Sequence, residues 1–181
     1  MSPTLFSRID CALPIVPTML ACLFSCCLCP SGQAQITLDG SLTVEGERAL
    51  SGPNYQILEA DGKLTGNNLF HSFRDFSLPG GNSATFSGSA DIRNVLSRVT
   101  GGNASTIDGA LISTIPGANF FFINPYGVFF GPGASIDVGG AFTVTTAHHL
   151  NLADGAVFSA TPGGADFSLT SADVASFGFL S

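Results

Sequence analysis

The feature that most constrains the fold is an internal repeat that begins near residue 107. One series of short motifs opens with glycine and alanine at Gly109, Gly133 and Gly155, at offsets of 24 and 22 residues. A second series opens with phenylalanine at offsets of 22 and 25, in the runs Phe120–Ile123, Phe142–Thr146 and Phe167–Thr170. Two interleaved series with similar periods describe a coil whose turns each contribute several short strands and cover one another's apolar side. The repeat therefore predicts an all-β, right-handed parallel β-helix, with an antiparallel sandwich as the competing architecture.

The composition agrees with a glycine-rich β structure and excludes several other classes. The 181 residues are 45% hydrophobic and only 10% charged, against about 25% in an ordinary soluble domain. This balance excludes a disordered chain, which needs low hydrophobicity and high charge. The formal net charge is −7, and no lysine or arginine follows Arg98. Because binding to phosphates needs a basic face that displaces counterions, nucleic acid is not an expected partner.

The first 34 residues have the order of a secretory signal peptide. Arg8 precedes an uncharged apolar run over Cys11–Pro30, and small residues lead to Ala34. We expect export by the general secretion machinery and cleavage between Ala34 and Gln35. A retained membrane anchor and a lipoprotein acylated at Cys22 are the alternatives. The same segment contains all five cysteines of the chain, Cys11, Cys22, Cys26, Cys27 and Cys29. The rest of the chain therefore offers no disulfide or thiolate metal site.

Alternating segments and turn signals precede the repeat. From Gln35 to Gly46 the chain alternates in two strand-like halves around an Asp39-Gly40 turn, with four apolar residues on one side, Ile36, Leu38, Leu42 and Val44. Asp-Gly pairs recur at positions 61, 108 and 154, each beside an apolar run, and such pairs mark turns. Asn68–Leu78 has apolar residues at a spacing of three, which fits either a helical turn or a bulged strand.

The sharpest local signal is the tetrapeptide Asn124-Pro125-Tyr126-Gly127, which lies within the most apolar stretch after residue 35. Asparagine at the first position, proline at the second and glycine at the fourth are typical of a type I turn. The sequence therefore predicts a tight corner between two buried strands.

Further stretches accompany this turn in a specific order. They are Asn68–Phe73, Ile92–Val95, Arg98–Gly102, Ser105–Gly109, Phe122–Gly131 and Gly140–Ala147. Together they closely resemble the N-terminal haemagglutination-activity domain of filamentous haemagglutinin-like exoproteins, the two-partner secretion family, over about residues 35–181. The chain departs from the family at two points. Tyr126 stands where the family's turn often has a second asparagine, and a second asparagine-proline-asparagine-leucine motif has no counterpart near Phe86–Asn94.

The resemblance implies a right-handed parallel β-helix of the pectin-lyase-like solenoid type, used for secretion and adhesion rather than catalysis. The implied partners are an outer-membrane two-partner secretion transporter with periplasmic POTRA domains and, as an adhesion target, a host or cell-surface glycan. The implied route in a Gram-negative-type envelope is through the periplasm to the cell surface or the medium. The residues implied in transporter recognition are Asn124, Pro125, Tyr126, Gly127, Asn94 and Asn68. Because the family's members usually continue beyond this domain, the apolar end at Phe177–Ser181 is interpreted as an incomplete coil.

No motif typical of an enzyme or a cofactor site accompanies these features, so no cofactor is expected. The adjacent His148 and His149 would face opposite sides of a strand, which favours a solvated corner over a metal site. A polysaccharide-binding or polysaccharide-cleaving β-helix is the alternative function, and its acids would be Asp108 and Asp137 on neighbouring turns. It is disfavoured because no basic residue follows Arg98 to assist a proton acceptor.

Overall fold

The computed structural model describes residues 35–180, and the predicted signal peptide and Ala34 lie outside the described residues. Residues 35–180 form sixteen short strands and two 3₁₀ helices, with no α-helix. The strands are β1 (Ile36–Leu38), β2 (Arg48–Ala49), β3 (Asn54–Leu58), β4 (Lys63–Thr65), β5 (Asn68–Phe76), β6 (Ser83–Ser87), β7 (Asn94–Val99), β8 (Ser105–Ile107), β9 (Ala110–Ser113), β10 (Asn119–Ile123), β11 (Val128–Phe130), β12 (Ser135–Asp137), β13 (Phe142–Thr145), β14 (His149–Leu152), β15 (Val157–Ser159) and β16 (Val174–Gly178). The 3₁₀ helices are Glu59–Asp61 and Gly164–Ser168.

Three parallel sheets form the walls of a coil of about four turns. The central sheet contains β5, β7, β10 and β13, the second sheet contains β3, β6, β9 and β12, and the third sheet contains β8 and β11. Each turn of the chain visits the second sheet, then the central sheet, then the third. Phe120 lies between Val95 of the preceding turn and Phe142 of the following turn. The expected parallel β-helix is therefore confirmed, and the antiparallel sandwich is not the architecture of the coil.

Phenylalanine rings fill the inside of the coil. Side chains alternate along each strand, so every second residue of β5, β7 and β10 points inward. The ring centroids of Phe86 and Phe120 are 4.7 Å apart and those of Phe76 and Phe122 are 5.1 Å apart, both edge to face. Such pairs add about 0.5–1.5 kcal/mol each beyond the area they bury. The low charge of the chain follows, because a narrow coil has a continuous apolar ladder inside it.

β5 settles the ambiguous segment, because Asn68–Phe76 is a single nine-residue strand. It is buried on both faces. Leu69 and Phe73 belong to the interior of the coil, whereas Phe70 belongs to a second apolar cluster on the outer side of the central sheet. A strand covered on both faces has no simple period of two, which explains the misleading spacing of three.

Antiparallel strands close the first turn. β1 pairs with β5 on one side and with β2 on the other, and β4 also pairs with β5. The expected second half of the alternating segment is wrong, because residues 41–46 form no strand and the Val44 side chain is fully exposed. The partner of β1 comes later, at Arg48–Ala49. Gly40 has a φ of 73°, so the predicted Asp39-Gly40 turn is present.

The repeat is correct for two turns and wrong for the third. Ala110 lies beside Ser135, a register of 25 residues rather than the 24 of the glycine-alanine motifs, whereas Phe120 lies beside Phe142 at the expected 22. The third copies belong to another structure. Gly155 precedes β15, which pairs antiparallel with β14, and Phe167 lies in a 3₁₀ helix with its side chain exposed.

The turns of the coil differ in length because their corners differ. The connection from the second sheet to the central sheet becomes shorter with each turn, spanning residues 59–67, 88–93, 114–118 and 138–141. The strands themselves stay in register across the turns. A constant period is therefore approached only in the later turns.

A separate antiparallel sheet lies on the outer face of the central sheet. We call residues 148–178 the cover; they comprise β14, β15, β16 and the helix Gly164–Ser168. Its apolar side chains join Phe70, Leu96 and Ile123 of the coil in one buried cluster. The rings of Phe70 and Phe158 meet edge to face at 5.1 Å. No strand of the cover pairs with a strand of the coil among residues 35–180.

Candidate functional site

The predicted turn is present, and Asn124 holds it from inside. The Gly127 amide donates to the Asn124 carbonyl over 3.1 Å, which closes the turn, and the Tyr126 amide donates to Asn124 Oδ1 over 3.0 Å. Gly127 has a φ of 112°, a region that favours glycine. The sequence produces this corner locally, since proline presets the second position of the turn.

Asn124 also ties three successive turns of the coil together. Its Nδ2 donates to the Asn103 carbonyl and to Ser105 Oγ of the preceding turn, each over 3.0 Å. Its backbone amide donates to the Thr145 carbonyl of the following turn. The side chain is fully buried, so both ends of the amide are used inside the protein. In the folded domain Asn124 is a positioning residue and presents no atom to a partner.

Tyr126 is the member of the predicted motif that faces solvent. Its side chain is 59% exposed, and Phe129 and Phe130 of β11 are 62% and 47% exposed. β11, β12 and β13 are the last strands of their three sheets, and nothing within residues 35–180 pairs with their outer sides. The corner therefore presents an aromatic side chain beside the open edge of the last turn.

The two other predicted asparagines form a ladder with a third. Asn94 Nδ2 donates to Asn68 Oδ1 over 2.9 Å, and Asn119 Nδ2 donates to Asn94 Oδ1 over 3.1 Å. The ladder continues at both ends: Asn119 Oδ1 accepts from the Ala141 amide, and Asn68 Nδ2 donates to carbonyls of the cover. Asn68 and Asn94 are buried. Their place is therefore inside the fold.

The structure divides the six predicted recognition residues into two groups. Asn68 and Asn94 open their strands, whereas Asn124 and its turn follow the end of β10. The two groups lie at opposite ends of the central strands. Asn119 was missed, although its spacing of 25 residues from Asn94 repeats the 26 between Asn94 and Asn68, and that signal was available in the sequence.

A buried charge cluster was also missed. Arg98 is fully buried on the outer side of β7 and uses all five of its N–H donors. Its two terminal nitrogens bind the two carboxylate oxygens of Asp166, each over 2.7 Å. The guanidinium also lies 4.7 Å from the ring centroid of Phe158. The only sequence signal was a lone arginine in an otherwise uncharged strand.

The remaining donors of Arg98 connect it to a hub at Asp39. Arg98 Nε donates to Ser72 Oγ over 2.7 Å, and Ser72 donates in turn to Asp39 Oδ2 over 2.6 Å. Burial alone would raise the pKa of Asp39, but hydrogen bonds from Ser72, Ser41 and Thr100 outweigh it and hold that pKa below 3.8. The network joins the 39–46 loop, the coil and the cover.

His71 is the one buried imidazole on the inner face of the central sheet in the described part of the chain. Its Nε2 lies 3.1 Å from the Leu58 carbonyl oxygen, and its Nδ1 has no partner. Burial lowers the pKa of His71 from 6.5 to about 4, although the hydrogen bond to Leu58 and the charge of Asp61 act in the opposite direction. His71 is therefore neutral near pH 7.

The acids of the alternative function do not come together. Asp137 lies beside Ile112, whereas Asp108 occupies a corner where its Oδ1 accepts from the Gly133 amide over 2.7 Å. His148 and His149 lie at the start of the cover, half-buried rather than in a solvated corner, and His148 Nδ1 accepts from the Leu180 amide. Residues 35–180 contain no group of three or more side chains suited to hold a metal ion. No helix in the same range is long and apolar enough to cross a membrane.

The fold and the corner define a parallel β-helix with a docked antiparallel cover. A comparison with protein families matches residues 34–175 to the TPS secretion domain, and the chain belongs to that family. It is a secretion module of a two-partner secretion exoprotein, a class that is exported through the envelope by a partner outer-membrane transporter. Searches of curated proteins and of solved structures found no match.

Proposed function

We propose that the partner transporter recognises the folded domain at the corner of the last complete turn. Tyr126 and the open edge of β13 make the contact in this proposal. The observation that carries it is the exposure of Tyr126 in a turn whose other functional groups are buried. An unpaired strand edge can add a strand from a partner, and the periplasmic POTRA domains of the transporter would supply that strand. The remaining predicted residues then act indirectly.

Asn124, Pro125 and Gly127 hold the corner, and Asn68 and Asn94 hold the coil behind it. The burial of the three asparagines supports this division, because a buried amide offers nothing to a partner. The division has a measurable consequence. Replacing a positioning residue lowers export together with stability, whereas replacing Tyr126 lowers export alone.

Residues 1–34 act as the signal peptide for passage into the periplasm, and the transporter then delivers the chain to the cell surface or the medium. The start of the described fold supports the cut between Ala34 and Gln35, because β1 begins at Ile36 and the Gln35 carbonyl already accepts from the Ser77 amide. The N-terminal peptide of the exported chain is expected to begin at Gln35, and mass spectrometry measures this directly. An exported chain that retains residues before Gln35 would contradict the cleavage. Adhesion to a glycan stays a prediction of the sequence resemblance.

The recognition proposal is tested by co-expression with the cognate transporter and immunoblotting of intact cells and medium. Tyr126→Ala is expected to reduce export several-fold while its thermal midpoint stays within a few degrees of the parent. Phe167→Ala is the matched control, since Phe167 is an equally exposed aromatic residue on the cover. Equal export of Tyr126→Ala and the parent would refute the contact. Export that persists without the transporter would refute transporter-dependent secretion as a whole.

A further inference from the structure

The contacts of Arg98 divide unequally between the coil and the cover. Two of its five hydrogen bonds stay on the coil side, to Ser72 Oγ and to Ser41 Oγ. The other three go to the cover, two to the Asp166 carboxylate and one to the Ser159 carbonyl oxygen over 2.6 Å. The ring of Phe158, also in the cover, lies against the guanidinium. The charge of Arg98 is therefore neutralised mainly by residues of the cover.

The cover has few other polar ties to the coil. β14, β15 and β16 form their own sheet, so docking forms no ladder between strands of the cover and strands of the coil. The remaining polar links are Asn68 Nδ2 to two carbonyls at 170 and 172 and Lys63 Nζ to the Asp166 carbonyl. The coil keeps its parallel pairing without the cover, since β5, β7 and β10 pair with one another.

We propose that the cover docks onto an already folded coil as a separate step, and that the Arg98–Asp166 ion pair is the latch that holds it. Asp166 follows Arg98 by 68 positions. A chain that emerges from its N-terminus thus completes β5, β7 and β10 before the carboxylate of the latch is available. Until then the outer face of the central sheet, with Phe70, Leu96 and Ile123, stays open.

The physical basis is the cost of an unpaired buried charge. Removing the Asp166 charge while the cover stays docked leaves the Arg98 guanidinium in an apolar site without its counter-charge, which is strongly unfavourable. Undocking relieves that cost because Arg98 regains water while the coil keeps its own hydrogen bonds. The expected response to loss of the latch is therefore local opening of residues 148–178, and not unfolding of the whole domain.

Hydrogen exchange followed by mass spectrometry on the full chain tests this. Asp166→Asn is expected to speed amide exchange in the cover by roughly a hundredfold, the order expected when a buried pair is broken. Exchange in β5, β7 and β10 is expected to stay unchanged. Asp173→Asn is the matched control, because Asp173 is an exposed acid of the same cover. The control is expected to exchange like the parent.

A double variant separates the latch from a general loss of packing. Arg98→Met combined with Asp166→Leu replaces the pair by apolar side chains, which often preserves stability. It is expected to restore protection of the cover to within tenfold of the parent. The proposal is overturned if exchange in β5, β7 and β10 rises as much as in the cover, if the cover is unaffected, or if Asp166→Asn fails to fold. It is also overturned if the double variant stays as open as Asp166→Asn.

Thiol labelling gives an independent measure of the opening. In the full chain with its five cysteines replaced by serine, Leu96→Cys places a thiol under the cover and Val95→Cys places one inside the coil. Asp166→Asn is expected to accelerate maleimide labelling at position 96 and to leave position 95 protected. Equal acceleration at both positions would mean that coil and cover open together, and would overturn the proposal.

Discussion

Acidification from pH 6.5 to pH 4 is expected to destabilise the domain through His71. The neutral ring lies against Phe86, with ring centroids 5.4 Å apart, and Nε2–H donates to the Leu58 carbonyl. A second proton would sit on Nδ1, which has no acceptor within the described residues. Burial of the ring thus disfavours the charged form, and the folded-state pKa falls from 6.5 to about 4.

The magnitude follows from linkage. The unfolded chain binds a proton on His71 below pH 6.5, whereas the folded chain does so only below about pH 4. The neutral ring is tolerated at full stability above pH 6.5, and stability is lost as the pH falls through that window. At about 1.4 kcal/mol per pH unit, the loss reaches about 3 kcal/mol. Asp39 contributes its own loss only below pH 3.8, outside the window, because its pKa is lowered from that value.

Urea unfolding measured at half-unit steps from pH 7.5 to pH 4 tests this. The parent is expected to lose about 3 kcal/mol of unfolding free energy across the window. His71→Gln, which keeps a side-chain donor, is expected to lose that pH dependence, and the control His149→Gln is expected to retain it. Parallel curves for the parent and His71→Gln between pH 6.5 and pH 4 would refute the reasoning.

Three further predictions concern the coil and its corner. Phe86→Ala removes a fully buried ring and is expected to lower the unfolding free energy in urea by about 3–5 kcal/mol, whereas Phe167→Ala on the surface changes it by less than about 0.5 kcal/mol. Gly127→Ala forces a side chain to φ 112° and is expected to cost about 1–3 kcal/mol, seen as a lower thermal midpoint; an unchanged midpoint would contradict the turn geometry. Asn94→Ala breaks the middle of the ladder and is expected to cost about 1–3 kcal/mol, and exchange in β7 that matches the parent would count against the ladder.

The coil could be predicted where its corners are short. Phe120 and Phe142 lie one turn apart and directly beside each other, so their spacing carried the period of the structure. The first turns carried no visible period, because their corners at 59–67 and 88–93 are longer and unequal. The cover could not be predicted from the period. Gly155 and Phe167 continue the spacing, but spacing does not specify whether a segment pairs in parallel, and these residues joined another sheet.

The candidate site was predicted as far as local rules reach. The Asn124 turn follows from the preferences of four consecutive residues, and the structure confirms its closing hydrogen bond. The burial of Asn124 could not be predicted, because its partners Asn103 and Ser105 belong to the preceding turn. The pairing of Arg98 with Asp166 has no local signal at all, since the two residues meet only through the docking of one sheet on another.

The asparagine ladder also gives the coil a direction of growth. Each amide in it donates to the turn before it, from Asn119 to Asn94 and from Asn94 to Asn68. An arriving turn therefore meets an acceptor oxygen that is already fixed in place, and each completed turn serves as the template for the next. A chain delivered in the opposite order would have to place its donors first and leave them waiting for acceptors. The polarity of three side chains thus matches assembly that begins at the N-terminus.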